Sequence, residues 1–245
     1  METKYQDHRS RVAKEKRDAM HTRLLEATMV VFANKSKVTP SIELVVQQAG
    51  VSRGTFYKHF STLDEALVAT GQYLTDEMTV GMFPIYDAVE DAIDRVSTGM
   101  RLYLTRAALD NKWAAFVSRA ELMPSHSLLL QHLASDLNRG ESAKEFSLVS
   151  PVAARDLVTG LTFEAMKGFV LGRIANPAGY IDASITLVLR AFGVDAMRCK
   201  AAVDFSRNHL ATWSADVPGY WTEHVATLDK PVKRGRAAPV RKEKS

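Results

Sequence analysis

Apolar residues recur along this chain at the 3.6-residue spacing of helices, and the alternation that marks strands is scarce. Leu24, Leu25, Thr28, Val31 and Phe32 form the first stripe, with Glu26 and Asn34 off it, and predict a helix from Glu15 to Asn34. The segment KSKVTPS interrupts it, because Pro40 disfavours helical geometry at Thr39 but suits the first turn of a new helix. Ser41 or Thr39 caps that second helix, which buries Ile42, Val45, Val46 and Ala49 and stops at Gly50. Val51 plugs the turn and Ser52 caps a short third helix, from which Phe56 and Phe60 point into the first two. Thr62 and Glu65 make a capping box that opens a fourth helix, Leu63 to Met82, ended by Pro84.

Further helices are predicted over 85–109, 112–122, 126–138, 151–174, 178–192 and 195–213, broken at Asn111, Pro124, Gly140 and Asn176-Pro177. The fold class is all-α. The tail DKPVKRGRAAPVRKEKS, residues 229–245, has no apolar periodicity and is expected to be disordered.

Composition adds bounds. A chain of 245 residues that is 46% hydrophobic buries a sizeable core, as one large or two small domains. No run of 18 apolar residues and no secretory leader are visible, so a cytoplasmic protein without a membrane partner is expected. Cys199 is the single cysteine; it excludes an internal disulfide and a multi-thiolate zinc site and reads as structural. Neither a metal site nor a cofactor is indicated.

Charge is uneven along the chain. Residues 1–60 carry a net +5, residues 61–228 a net −6 and residues 229–245 a net +5. A basic end on an acidic body suits a polyanion, either nucleic acid or an anionic membrane. Neither end is apolar enough to anchor in lipid, which favours nucleic acid.

The stretch AGVSRGTFYKHF, Ala49 to Phe60, places the chemistry. A helix, a glycine turn and a short helix with basic and hydroxyl residues on its outer sides is the plan of a helix-turn-helix, whose second helix enters the major groove. Arg53 has the planar fork that pairs with the guanine edge, and Thr55, Tyr57, Lys58 and His59 reach phosphate oxygens. Gly54 removes a side chain where the backbone approaches DNA.

With STLDEAL after it and LLEATMVVFA before it, this stretch resembles the DNA-binding domain of the TetR/AcrR family of bacterial transcriptional regulators, specifically over Leu24 to Leu67. The resemblance implies an all-helical homodimer with an N-terminal three-helix helix-turn-helix domain and a larger ligand-binding and dimerisation domain. Most members are repressors released from a palindromic operator by a small molecule. Carried over, it implies a basic arm at 1–14, a DNA-binding domain at 15–62, a ligand-binding and dimerisation domain at 63–228 and the basic tail. Ser52, Arg53, Gly54, Thr55, Tyr57, Lys58 and His59 become the surface for double-stranded DNA, with Val51, Phe56 and Phe60 as core. Leu44 and Leu63 differ from the acidic residue and the lysine usual in the family at those places.

The body is rich in Met and aromatic residues, which at helical spacing suit either plain core or the lining of a ligand cavity. The resemblance favours a cavity, with Met100, Tyr103, Trp113, Phe116, Phe163 and Met166 as candidate lining. Asp87, Glu90, Asp91 and Asp94 form an acidic stripe, read as a solvated face that would also suit a cationic effector. The helices near 151–198 are the expected dimer seam: Gly160, Ala165, Gly168 and Gly172 permit close approach, and Ile181, Ile185, Val188, Leu189 and Phe192 need cover. Packing within one chain is the alternative.

Lys4, Arg9, Arg11, Lys14, Lys16 and Arg17 either track DNA or only solubilise the N-terminus, and Lys233 to Pro239 partly matches a minor-groove hook. An enzyme is disfavoured by the absence of phosphate-loop, metal-spacing and nucleophile-elbow motifs; His126 and His132 are off one helical face. An effector-independent, non-specific or architectural DNA binder is the alternative function. For the repressor, effector binding is expected to tilt the fourth helix and change the spacing of two recognition helices.

Overall fold

A computed structural model describes residues 2–33, 39–118 and 128–213. Among them every regular element is an α-helix: α1 Glu2–Ala33, α2 Ile42–Ala49, α3 Arg53–Tyr57, α4 Leu63–Asp87, α5 Ala92–Leu109, α6 Asn111–Val117, α7 Leu128–Ser142, α8 Pro151–Val170, α9 Pro177–Ala191 and α10 Ala196–Trp213. The basic tail, the hook-like segment and the break at Pro124 lie outside the described residues.

Two apolar cores form. The smaller joins Leu24 and Leu25 of α1, Val45, Val46 and Ala49 of α2, Phe56 of α3, Phe60 just beyond it, and Ala66 of α4. The larger takes α5 to α10 and the rest of α4. Tyr73 of α4 packs against both. The far end of α1 also reaches the larger core, where the Phe32 ring meets Phe116 of α6 edge-on at 6.4 Å.

Helix α5 is the centre of the body, in contact with α6, α7, α8, α9 and α10. It buries polar side chains as well as apolar ones, so each needs a partner. Ser97 donates to the Ile93 carbonyl at 2.6 Å. Arg101 donates from Nε to Ser206 Oγ at 2.8 Å and from Nη2 to Asp182 Oδ1 at 2.6 Å, tying α5 to α9 and α10.

Several expected boundaries move. Helix α1 begins at Glu2, so residues 2–14 continue the helix expected from Glu15. Pro84 does not end α4, which runs to Asp87. In the last turn the proline forfeits only its own donation to residue 80, and the break comes instead where Asp91 caps α5, accepting from the Asp94 N–H at 2.9 Å. Asp110, not Asn111, is the break before α6, because its carboxylate takes the N–H groups of Lys112 and Trp113. Gly140 lies inside α7; the turn comes at Lys144, whose φ is 60°.

The acidic stripe is not a plain solvated face. Arg198 of α10 donates to Asp91 Oδ1 at 2.5 Å and to Asp94 Oδ1 at 2.9 Å, clamping the start of α5. Cys199 is buried, and burial raises its thiol above the ordinary range.

Candidate functional site

Three caps build the reading end. Ser41 Oγ accepts from the Leu44 N–H at 3.4 Å and starts α2, which leaves Pro40 ahead of the helix rather than in its first turn. Gly50 stops α2 in the left-handed region at φ 63°, and the Val51 N–H returns to the Val46 carbonyl at 3.0 Å. Ser52 Oγ accepts from the Thr55 N–H at 3.1 Å and starts α3. Beyond it, Thr62 Oγ1 accepts from the Glu65 N–H at 3.0 Å, while Glu65 reaches back to the Ser61 N–H at 2.6 Å.

This frame turns Phe56 and Phe60 inward and leaves Ser52, Arg53, Gly54, Tyr57 and Lys58 exposed, Tyr57 at 51%. Two of the expected residues are partly committed elsewhere. Thr55 is half-buried and shares a 3.0 Å hydrogen bond with Ser52. The His59 ring lies 5.6 Å from that of His21 on α1, and desolvation, then His21, Arg17 and Lys58, hold its pKa below the ordinary value.

Glu43 of α2, absent from the expected surface, pairs with Arg53 at 2.8 Å. It sits ten residues upstream, a separation that no helical spacing relates. Gly54 has no internal reason to lack a side chain: a Cβ there would meet nothing closer than Ser52 Oγ at 3.7 Å.

The second feature is a cavity of about 70 Å³ inside the larger core. Four of the candidate lining residues, Met100, Tyr103, Phe163 and Met166, lie on its wall. Trp113 and Phe116 do not: both are buried in solid core, Trp113 against Tyr103 at 5.9 Å and Phe116 against Phe32. Thr79, Met82, Phe83 and Tyr86 of α4 complete one wall, and Arg95, His132 and Asp136 supply polarity.

Arg95 Nε donates to Asp136 Oδ1 at 2.7 Å, Nη1 donates to the Tyr86 and Val89 carbonyls at 3.1 and 2.9 Å, and the guanidinium lies 4.0 Å over the Tyr86 ring. Burial pushes the Asp136 carboxyl up, to about 7, against the lowering by Arg139, and burial, then Arg139, lowers Arg95 against Asp87. The signal for this pair was present in the sequence. Asp136 falls on the apolar stripe of Leu129, Leu133, Leu137 and Gly140, where a carboxylate has no business unless partnered.

The expected seam splits. Ile181, Ile185, Val188, Leu189 and Phe192 are buried within the chain, so packing in one copy satisfies them. Leu157, Leu171 and Leu187 stay exposed, and a Cβ on Gly160 would meet nothing within 4 Å.

Comparison places this architecture among known proteins. No family model matches the chain. A curated relative, the uncharacterized HTH-type transcriptional regulator YfiR of Bacillus subtilis, is 25% identical over 158 residues, covering 58% of this chain and 76% of that protein. The fold is shared with a tetR-family regulatory protein from Rhodococcus, at a TM-score of 0.57, 19% identity and coverage of 72% of this chain and 98% of that one. It is shared too with FadR of Bacillus subtilis in complex with stearoyl-CoA, at 0.58, 17%, 69% and 98%. RolR bound to resorcinol gives 0.57, 17%, 78% and 95%. The fold is therefore that of the TetR-family transcription regulators. Among the described residues no helix is long and apolar enough to cross a membrane.

Proposed function

We propose that this chain is a sequence-specific DNA-binding transcriptional regulator, a repressor released from a palindromic operator by a small molecule. The observation that carries this reading is the placement of Arg53 and Tyr57, exposed on a short helix whose opposite side is anchored by Phe56, with exposed Lys58 capping its end. Gly54 supports it, since the space beside it is left open by the protein itself and suits a DNA backbone. The relatives' ligands, resorcinol and stearoyl-CoA, make an effector cavity a natural use of the larger core.

Helix α4 couples the two ends. Its 25 residues span about 37 Å, from Leu63 and Ala66 on the smaller core to Met82 and Tyr86 at the cavity. A ligand that reshapes the cavity wall moves one end of this rod, and the three-helix reader rides on the other. Release requires that the ligand prefer the arrangement in which two reading helices no longer match successive major grooves. The exposed Leu157 on α8, Leu171 just past its end and Leu187 on α9 suit the two-fold contact such a reader needs.

Selection of bound duplexes from a random pool, repeated with Arg53→Ala and Tyr57→Ala, tests the reading. A palindromic winner whose affinity falls in both variants supports it. Binding without sequence preference that survives both changes and vanishes with salt overturns it in favour of a non-specific binder.

A further inference from the structure

Among the described residues, one buried side-chain oxygen that lines the cavity lacks a hydrogen-bond partner, Oδ2 of Asp136. Tyr103 OH and Thr79 Oγ1 bond each other at 2.7 Å, Thr162 donates to the Val158 carbonyl at 2.7 Å and Thr159 to the Arg155 carbonyl at 3.0 Å. Asp136 is 3% exposed, its Oδ1 takes Arg95, and its Oδ2 is buried with no partner among the described residues. Such an atom is costly to leave unpaired, and in the ionised carboxylate, which prevails above about pH 7, it accepts a hydrogen bond.

The surroundings define the rest of the ligand. Met82, Met100, Met166, Phe83 and Phe163 make the walls apolar, and the three methionines adapt readily to a guest. With both groups ionised the Arg95–Asp136 couple has no net charge, and Asp87 and Arg139 act on Arg95 with opposite signs. A charged ligand therefore finds no net opposite charge in this couple, and apart from the tyrosines His132 is the other ionisable side chain of the lining, whereas a neutral ligand meets the demand without the cost of burying a charge.

We propose that the cavity takes an uncharged, largely apolar molecule that donates one hydrogen bond to Oδ2 of Asp136, an alcohol or phenol in chemical class. This rests on the ligand-responsive reading above and names what that ligand must offer. Arg95 is a positioning residue: it orients the carboxylate and, through the Tyr86 and Val89 carbonyls, links it to the end of α4.

Calorimetric titration of the full chain at about pH 8.5, where Asp136 is ionised, with p-cresol, toluene, p-methylanisole and p-toluate tests it. The expected result is p-cresol binding about tenfold tighter than toluene, with p-methylanisole no better than toluene and p-toluate silent. In Asp136→Asn the amide oxygen keeps Arg95 and the amide N–H faces the cavity, so p-methylanisole gains and the p-cresol preference disappears. Equal binding of p-cresol and toluene to the wild-type chain, tightest binding of p-toluate, or no binding by any probe overturns the inference, and none of these needs the variant to fold. Duplex affinity measured with each probe separates the two readings. A donor preference in binding with no change in DNA affinity supports this ligand rule while counting against ligand-driven release.

Discussion

Nη1 of Arg53 lies 2.8 Å from Oε1 of Glu43, so the first residue of the reading helix is tied to the first turn of the helix before it. A backbone hydrogen bond, then Arg53, holds the Glu43 carboxyl below its usual range. Both side chains are exposed, and solvent screens such a pair, so its removal leaves the melting temperature unchanged. Glu43→Ala releases Arg53 from the carboxylate, leaving its hydrogen bond with Tyr57, and deletes a negative charge beside the proposed DNA face. The expected outcome is tighter binding to scrambled duplexes, poorer discrimination for the operator, and a salt slope steeper by about one. Affinities for both duplexes at three salt concentrations check this. Unchanged discrimination would mean that Glu43 does not aim Arg53.

Gly54→Ala separates folding from reading. The free protein has room for the methyl group, and alanine favours a helix over glycine by about 0.5–1 kcal/mol. Melting is therefore expected to be unchanged or slightly higher while operator affinity drops at least about tenfold, the methyl group standing where the DNA backbone approaches. A variant that melts normally and binds normally would remove Gly54 from the interface.

His59 supplies a pH dependence whose sign can be worked out. Its pKa is lowered in the folded chain, chiefly by desolvation, so the folded state binds fewer protons than the unfolded state just below the ordinary value of about 6.5. Stability is therefore lost as pH falls through that value toward the folded pKa. A DNA phosphate beside the ring favours the protonated form instead, so operator affinity rises between about pH 7.5 and about pH 6 in the wild-type chain and stays flatter in His59→Gln. Parallel pH series of melting and of DNA binding check both signs.

Gly140→Ala tests the packing of the body. A Cβ at this position would lie 2.2 Å from a ring atom of Phe146, which is itself buried and packed edge-on against Phe192 at 5.3 Å. Overpacking of this kind costs about 1–3 kcal/mol. The variant is expected to melt lower by several degrees, with DNA affinity at low temperature retained. Full stability would show that the Phe146 ring has room to move.

Where an interaction spans three or four residues, the sequence by itself was sufficient. The hydroxyls of Ser52 and Thr62, the left-handed stop at Gly50 and the inward pair Phe56 and Phe60 depend on neighbours along one turn and were legible from spacing, while the cap of α2 stayed open between Thr39 and Ser41. The body was legible only as a set of helices. Trp113 and Tyr103 share the same composition and periodicity, yet one fills solid core and the other lines a cavity, because what faces a helix depends on the helices brought to it. Arg95 with Asp136, Arg101 with Asp182 and Arg198 with Asp91 join residues that are 41, 81 and 107 positions apart. Burying an arginine demands such a partner but does not say which carboxylate supplies it. The tertiary structure alone made that choice, by setting α7, α9 and α10 around α5.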